Sequence, residues 1–432
     1  MARFTRATLF LALCGLLLAP WTPVASAAPQ PPTLDEAARM AVQGSFSECT
    51  ADRPHQNSPA IYRICRPPSW WGDNGDLVIW AHGYVDVRQP VAIPEDQLCM
   101  DNGLCIPDLL NFLGYNFATT SYAVNGLAVQ PAIQDVIELV DLYAQEFGVP
   151  EHVLIVGASE GGLITTLSVE QHSDVFDGGL ATCGPIGDFR KQVNYFGDFR
   201  VVFDYFFPGL IPGSPVQIPP DLLPNWESYY ESNVAPVVFA PQNRSALKQL
   251  LRVTKAPYEG GDPSTIETTV EDVLWYSTLA TNNAAEVLTG QPFGNVDRWY
   301  RGSLDDAALN TGVARFAADL AALQEIEAHY QTSGVLSVPL VTLHTTLDQQ
   351  VPYWHENLYL KKTIASGAWP LLHVNYPPTV GYGHCAFGTA DVLGAFGLLA
   401  TMSGAGSEDE QNLSALLAAL GPGQQILDLD GR

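Results

Sequence analysis

The residues Gly157-Ala158-Ser159-Glu160-Gly161 form the clearest chemical pattern in the chain. They follow the apolar run His152-Val153-Leu154-Ile155-Val156 and open a helix-compatible run from Gly162 to Glu170. A strand, a Gly-x-Ser-x-Gly turn and a helix make an elbow that presents its serine as a nucleophile. Gly157 and Gly161 fit there because strand and helix come too close for a Cβ, and the helix N-terminus beneath favours developing negative charge. Such a serine needs a base and an acid to orient that base, and both follow in the order Ser, acid, His. Val338-Pro339-Leu340-Val341-Thr342-Leu343 reads as a buried strand, and the loop after it, from His344, places Asp348 ahead of Val351-Pro352. Leu371 to Tyr376 reads as the last strand, and Gly381-Tyr382-Gly383-His384-Cys385 is the loop beyond it, with the only histidine there. Upstream, the strand Asp76 to Ala81 ends in His82-Gly83-Tyr84. The chemistry these residues suit is acyl transfer through a seryl ester.

These four signals, in this order, resemble the α/β-hydrolase superfamily, specifically its secreted, capped serine hydrolases of the esterase and lipase kind. The resemblance runs from residue 58 to residue 402 with one large insertion. It implies Ser159 as nucleophile, His384 as general base and acid, Asp348 as orienting acid, and the backbone N–H groups of Glu160 and Tyr84 as oxyanion donors. In that family the acid often follows a His-Gly or Gly-rich turn, whereas here it follows His344-Thr345-Thr346. Asp348 also suits a turn or N-cap ahead of the next helix. His344 reads as packing under the acid loop, His355 as a half-exposed histidine on the following helix, and His82 as a prop for the oxyanion loop.

The elements that must position these groups alternate strand and helix, which predicts a mostly parallel central sheet flanked by helices. Tyr115 to Thr120 is a further strand. Pro131 to Phe147 is an amphipathic helix with Ile133, Val136, Ile137, Val140 and Tyr143 on one face. The core comprises residues 58–185 and 335–402, preceded by a segment 28–57 that holds a helix from Thr33 to Val42 and a turn-rich stretch. Between 186 and 334 the alternation stops, with helix-like pieces at Asn233 to Val238, Val270 to Ala280 and Ala307 to Thr332. By the resemblance this is a large, mainly helical cap. Its aromatic run Tyr195, Phe196, Phe199, Phe203, Tyr205, Phe206 and Phe207 suits either an acyl pocket or the cap's own core, and the core is favoured. Ala390 to Met402 closes the fold, and 403–432 reads as a peripheral tail.

Composition narrows the setting. Arg3 and Arg6, an apolar run from Leu9 to Ala19 and the small residues Ala25-Ser26-Ala27 read as a signal peptide, 1–27, removed near Ala27 to leave an exported, soluble chain. Of seven cysteines, Cys14 falls in that leader and six remain. Cys49 with Cys65 and Cys99 with Cys105 look local. Cys183 and Cys385 both fall near the carboxyl ends of the sheet in the fold resembled, where a bridge would pin the histidine loop. No metal site is expected, because Cys-x-x-Cys and His-x-x-x-His spacings are missing. A formal charge of −26 with only five lysines argues against nucleic acid and anionic membrane as partners. The expected activity is hydrolysis of small-molecule or polymeric carboxylic esters without cofactor. The alternative is a serine peptidase or aminopeptidase holding a substrate amine with Glu227, Glu231 or Asp204. The sequence leaves the oligomeric state open.

Overall fold

A computed structural model of the chain describes residues 31–99, 104–406 and 410–420. The leader 1–27, Cys14 and residues 421–432 of the tail lie outside the described residues. The strands in chain order are β1 (Glu48–Cys49), β2 (Arg53–Pro54), β3 (Ile61–Arg66), β4 (Leu77–Ala81), β5 (Asn116–Thr120), β6 (Val153–Ala158), β7 (Gly178–Thr182), β8 (Leu340–Leu343), β9 (Thr345–Leu347), β10 (His373–Asn375) and β11 (Thr379–Tyr382). The main sheet runs β1-β3-β5-β4-β6-β7-β8-β10, with β2 also paired to β3. From β5 to β10 neighbours are parallel, whereas β3 is antiparallel to β1, β2 and β5. Strands β4 to β8 are buried along their whole length. Continuous apolar runs such as Leu77-Val78-Ile79-Trp80-Ala81 suit strands covered on both faces.

The covering helices follow from the amphipathic runs between strands. On one face lie α3 (Val129–Phe147) and α4 (Glu160–Gln171), with Ile133, Val136, Leu163 and Leu167 packed on Ile79 and Ile155. On the other face Leu110 of the helix Ile106–Phe112 and Phe396 and Leu399 of the helix Thr389–Ser403 pack on Val78 and Val341. The N-terminal helix Leu34–Val42 starts at a capping box made by Thr33 and Glu36. It shares a small core with Phe46, Phe112 and the wholly buried Leu416 of the tail helix Glu410–Leu420.

Several elements differ from expectation. The turn-rich stretch before residue 57 contributes β1 and β2, two-residue strands too short to leave a periodic signal. Ala307 to Thr332 is not one helix: Asp306–Gly312 and Leu320–His329 are separated by an irregular stretch. The strand read from Leu371 is confined to β10, and β11 after it pairs with β9 in a separate two-stranded ribbon.

Between β7 and β8 the chain builds a helical insertion around the helices Phe189–Phe206, Arg244–Thr254 and Ser264–Val287. Phe199, Phe203, Phe207, Trp226, Leu250 and Val273 form its core. Of the aromatic run, Phe199, Phe203 and Phe207 are buried in that core, whereas Phe196, Tyr205 and Phe206 are half-buried.

The elbow is the tightest point of the framework. A Cβ on Gly161 would lie 1.9 Å from the Ala81 carbonyl oxygen, and one on Gly157 would lie 2.2 Å from the Gly161 carbonyl oxygen. Both obstacles are backbone, so neither can rotate away. Gly161→Ala is expected to cost about 3 kcal/mol or more of stability, beyond the usual overpacking range. Urea unfolding of the purified variant checks it, and a loss under about 1 kcal/mol would contradict the packing described.

Candidate active site

Ser159 sits between β6 and α4 with φ 57° and ψ −121°, a conformation costly for a residue with a side chain. Its N–H donates to the Thr182 carbonyl at 3.0 Å, and its carbonyl accepts from Gly162 at 2.9 Å. The hydroxyl therefore projects from the carboxyl end of the sheet. Ser159 Oγ lies 2.8 Å from His384 Nε2, and His384 Nδ1 lies 2.8 Å from Asp348 Oδ2. The other Asp348 oxygen accepts the N–H groups of Gln350 at 2.9 Å and Val351 at 2.8 Å. All three residues are buried or nearly so. Burial alone would raise the Asp348 carboxyl, but His384 and His344 outweigh it and hold the group low, at about 2.

The loops that bring acid and histidine together are joined to each other. In the ribbon, Thr345 is in register with Thr379 and Leu347 with Tyr382, one residue before Asp348 and two before His384. Cys183, at the end of β7, is disulfide-bonded to Cys385, with Cα atoms 5.3 Å apart. Cys49–Cys65 and Cys99–Cys105 are also bonded.

The acid loop is fastened to the helical insertion as well. Tyr195 Oη donates to the Gln349 carbonyl and Gln192 Nε2 to the Gln350 carbonyl, both at 2.7 Å. Gln349 and Gln350 donate to the Asp272 carboxylate at 2.6 and 3.1 Å. His344 packs under the acid, with Nε2 3.4 Å from Asp348 Oδ2. His355 departs from expectation: it is wholly buried, because Gln192 and the Gly187 N–H of the insertion close over it.

Across from Ser159, Gly83 comes close enough that a Cβ on it would lie 3.2 Å from the Ser159 Cβ. The Gly83 N–H donates to Gln97 Oε1 at 2.6 Å, and Tyr84 is the next residue of that loop. His82 stacks on Tyr122 with ring centroids 3.8 Å apart, and burial depresses its imidazole to about 4. Gln97 carries no sequence signal; only the fold brings it to the loop. The N–H of Glu160 lies at the first turn of α4, and the Glu160 carboxyl accepts from the Ala128 N–H at 2.8 Å. Burial raises that carboxyl to about 8, so a neutral acid follows Ser159 at neutral pH.

Ser159 and His384 open into a cavity of about 500 Å³. Tyr84, Trp275 and Tyr276 supply aromatic walls and pack edge to face on one another. The carboxylates Asp86, Glu95, Asp96, Glu227 and Glu271 line the cavity together with the Arg88 guanidinium, and Glu95 also pairs with Arg63. Arg88 binds Asp86 and reaches Glu227 at 2.6 Å. Of the three insertion carboxylates weighed as amine ligands, Glu227 lines this cavity, Asp204 pairs with the buried Arg200, and Glu231 lies on the exposed surface. Two groups of potential metal ligands meet among the described residues. In Cys183/His384/Cys385 the sulfurs are a disulfide. In His55/Asp135/Glu138 the histidine bonds Glu138 and Thr120, and Asp135 accepts the Ala123 N–H.

The strand order, the antiparallel edge and the serine elbow at the end of β6 are those of the α/β-hydrolase fold. The prolyl oligopeptidase family matches residues 112–195, the segment that carries the elbow. No curated protein sequence matches the chain. Among solved structures, the acylaminoacyl peptidase of Pyrococcus horikoshii aligns at 10% identity and TM-score 0.38, over 86% of this chain and 44% of that one. The chain thus spans less than half the length of that peptidase. An esterase from Aspergillus oryzae aligns at 15% identity and TM-score 0.41, over 80% and 74% of the two chains. Feruloyl esterase B of the same organism aligns at 13% and 0.42, over 79% and 75%.

The raised Glu160 carboxyl links stability to pH. Folding favours its protonated form, so this stabilisation is complete below the ordinary value of 4.5 and is lost as pH rises through about 8. Glu160→Gln keeps an acceptor for the Ala128 N–H and removes the titration. Its melting temperature relative to wild type is therefore expected to climb between about pH 5 and about pH 9. Thermal unfolding across that range checks this, and a constant difference would count against a buried, titrating Glu160.

Proposed function

We propose that the protein is an exported serine hydrolase that cleaves carboxylic esters through an acyl-enzyme, with Ser159, His384 and Asp348 as its triad. The observation that carries the reading is the unbroken line of 2.8 Å contacts from Ser159 Oγ through His384 to Asp348 at the floor of the cavity. His384 Nε2 takes the Ser159 proton as Oγ bonds to the ester carbonyl carbon, and the carbonyl oxygen becomes an oxyanion held by the Glu160 and Tyr84 N–H groups. The intermediate collapses as His384 gives that proton to the departing alcohol. Water then repeats the cycle on the seryl ester and releases the acid. Asp348, ionised and buried, keeps the Nδ1–H tautomer that leaves Nε2 free to act as base.

The Tyr84, Trp275 and Tyr276 rings favour an ester with an apolar or aromatic group, and the helical insertion serves as the cap that carries two of them. Support for export comes from the leader pattern and the three disulfides. Among the described residues no helix is long and apolar enough to cross a membrane.

The carboxylate-rich wall favours a second reading, a peptidase acting on substrates with a free amine, with Glu227 and Glu271 near the scissile bond.

Ser159→Ala and His384→Ala are expected to lower kcat by about 10⁴-fold or more without loss of fold. Asp348→Asn is expected to leave measurable residual turnover. A matched panel of p-nitrophenyl esters and aminoacyl p-nitroanilides reads all three variants and separates ester from peptide bond. Near-wild-type turnover in either Ala variant would remove the triad. Preferential, Ser159-dependent cleavage of the anilides would replace the ester reading with the peptidase.

A further inference from the structure

Among the described residues, the polar partners of the His344 ring are all acceptors. Its Nε2 lies 2.7 Å from the Val351 carbonyl oxygen and 3.4 Å from Asp348 Oδ2. Its Nδ1 lies 3.3 Å from Glu356 Oε1. A carbonyl only accepts, and an ionised carboxylate only accepts, so each ring nitrogen calls for its own proton. Glu356 is arranged to stay ionised: its other oxygen receives the Thr342 hydroxyl at 2.6 Å and the Asn375 amide at 2.5 Å. His355, one residue before Glu356, gives the opposite count. Its Nδ1 accepts from the Gly187 N–H at 3.0 Å and its Nε2 donates to Gln192 Oε1 at 2.9 Å, the pattern of a neutral ring.

Charge balance points the same way. Asp348 and Glu356 are both buried, and their side chains are 0% and 5% exposed. With His384 neutral as the resting base, a neutral His344 would leave two uncompensated negative charges in one dry cluster. An imidazolium at His344 reduces that to one. Also around the cluster lie Tyr353, whose ring meets His344 edge to face, His355 on the following helix, His373 on β10, Tyr359 beside Glu356, Tyr195 over the acid loop, and Asp272, whose carboxylate receives the Gln349 and Gln350 amides.

We propose that His344 is a constitutive imidazolium bridging Asp348 and Glu356, a positioning residue that keeps the acid ionised while cancelling its excess field on His384. Two buried carboxylates acting on His384 would hold that ring protonated, and a protonated ring cannot take the serine proton. One charge cancelled by His344 leaves enough field to orient His384 and stabilise its transient cation, and no more. The environment agrees: burial opposes a charge on His344, but hydrogen bonding to Asp348 and Glu356 overrides it and lifts the ring to about 10. The inference rests on the triad reading for its catalytic consequence, though the protonation state stands apart from it.

The test is nitrogen NMR of enzyme labelled with ¹⁵N only at histidine. The expected result is one histidine with two ring N–H protons from about pH 6 to about pH 8.5, absent from the spectrum of His344→Gln. In that variant the acid limb of the kcat/KM profile is expected to move up by about one pH unit. At a pH below the limb kcat should fall about tenfold, with KM little changed. A packing role alone would lower activity without moving the limb. If His344→Gln does not fold, Glu356→Gln serves in its place, and there the ring is expected to lose its second proton at lower pH than in wild type. A neutral tautomer in wild type near pH 7, or an unmoved limb in a folded His344→Gln, overturns the proposal. The NMR result is independent of whether any substrate is turned over, so it separates failure here from failure of the triad.

Discussion

Backbone crowding at the crossing of β4, β6 and α4 governs the rest of the molecule. The first turn of α4 lies so close to the end of β4 that the Ala81 carbonyl occupies the place of a Gly161 side chain. That contact forces the turn between β6 and α4 to be sharp, and the sharp turn puts Ser159 at φ 57°. The strain is maintained by the strands on either side, through the Thr182 carbonyl and the parallel register of β6 with β4 and β7. A serine in a relaxed conformation would lie along the sheet rather than above it.

A second constraint is electrostatic. Asp348 lies at the C-terminal side of β9 with no exposure to water, and a buried carboxylate persists only if it is paired and hydrogen-bonded. Two backbone N–H groups and two histidines answer that requirement from one loop, one neighbouring loop and the residue four positions back. The ribbon of β9 and β11 is what makes it geometrically possible, because it brings loops from two separate strands of the main sheet alongside each other. Stability and chemistry thus draw on the same set of contacts.

Much of this is visible in the amino-acid sequence where the determinants are local. The elbow shows because glycine spacing, a preceding apolar run and a following helix all fall within about twenty residues. Asp348 and His384 show through their positions after late strands. The three cysteine pairings suggested by spacing and by family resemblance are the bonded ones. What stayed hidden depends on distance along the chain. His355 looks half-exposed on its own helix, and only Gln192, 163 residues away, buries it. Gln97 has no motif around it, yet its amide occupies the Gly83 N–H. The β9–β11 ribbon and the two-residue strands are too short to impose a period of two. Apolar spacing runs on past Gly312, so the pattern reads as one helix over a stretch that the chain breaks into two.

The fastening of the acid loop to the helical insertion limits what the insertion can be. Tyr195, Gln192 and Asp272 satisfy buried groups of Gln349 and Gln350, directly beside Asp348. Excising the insertion, or exchanging it for one from another protein of this fold, would strip partners from two buried carbonyls and two buried amides at once. The insertion is therefore no interchangeable module. Any transplant that alters substrate choice must carry the 348–350 loop with it, and a chimera joined only at the ends of β7 and β8 would inherit a damaged acid rather than a new specificity.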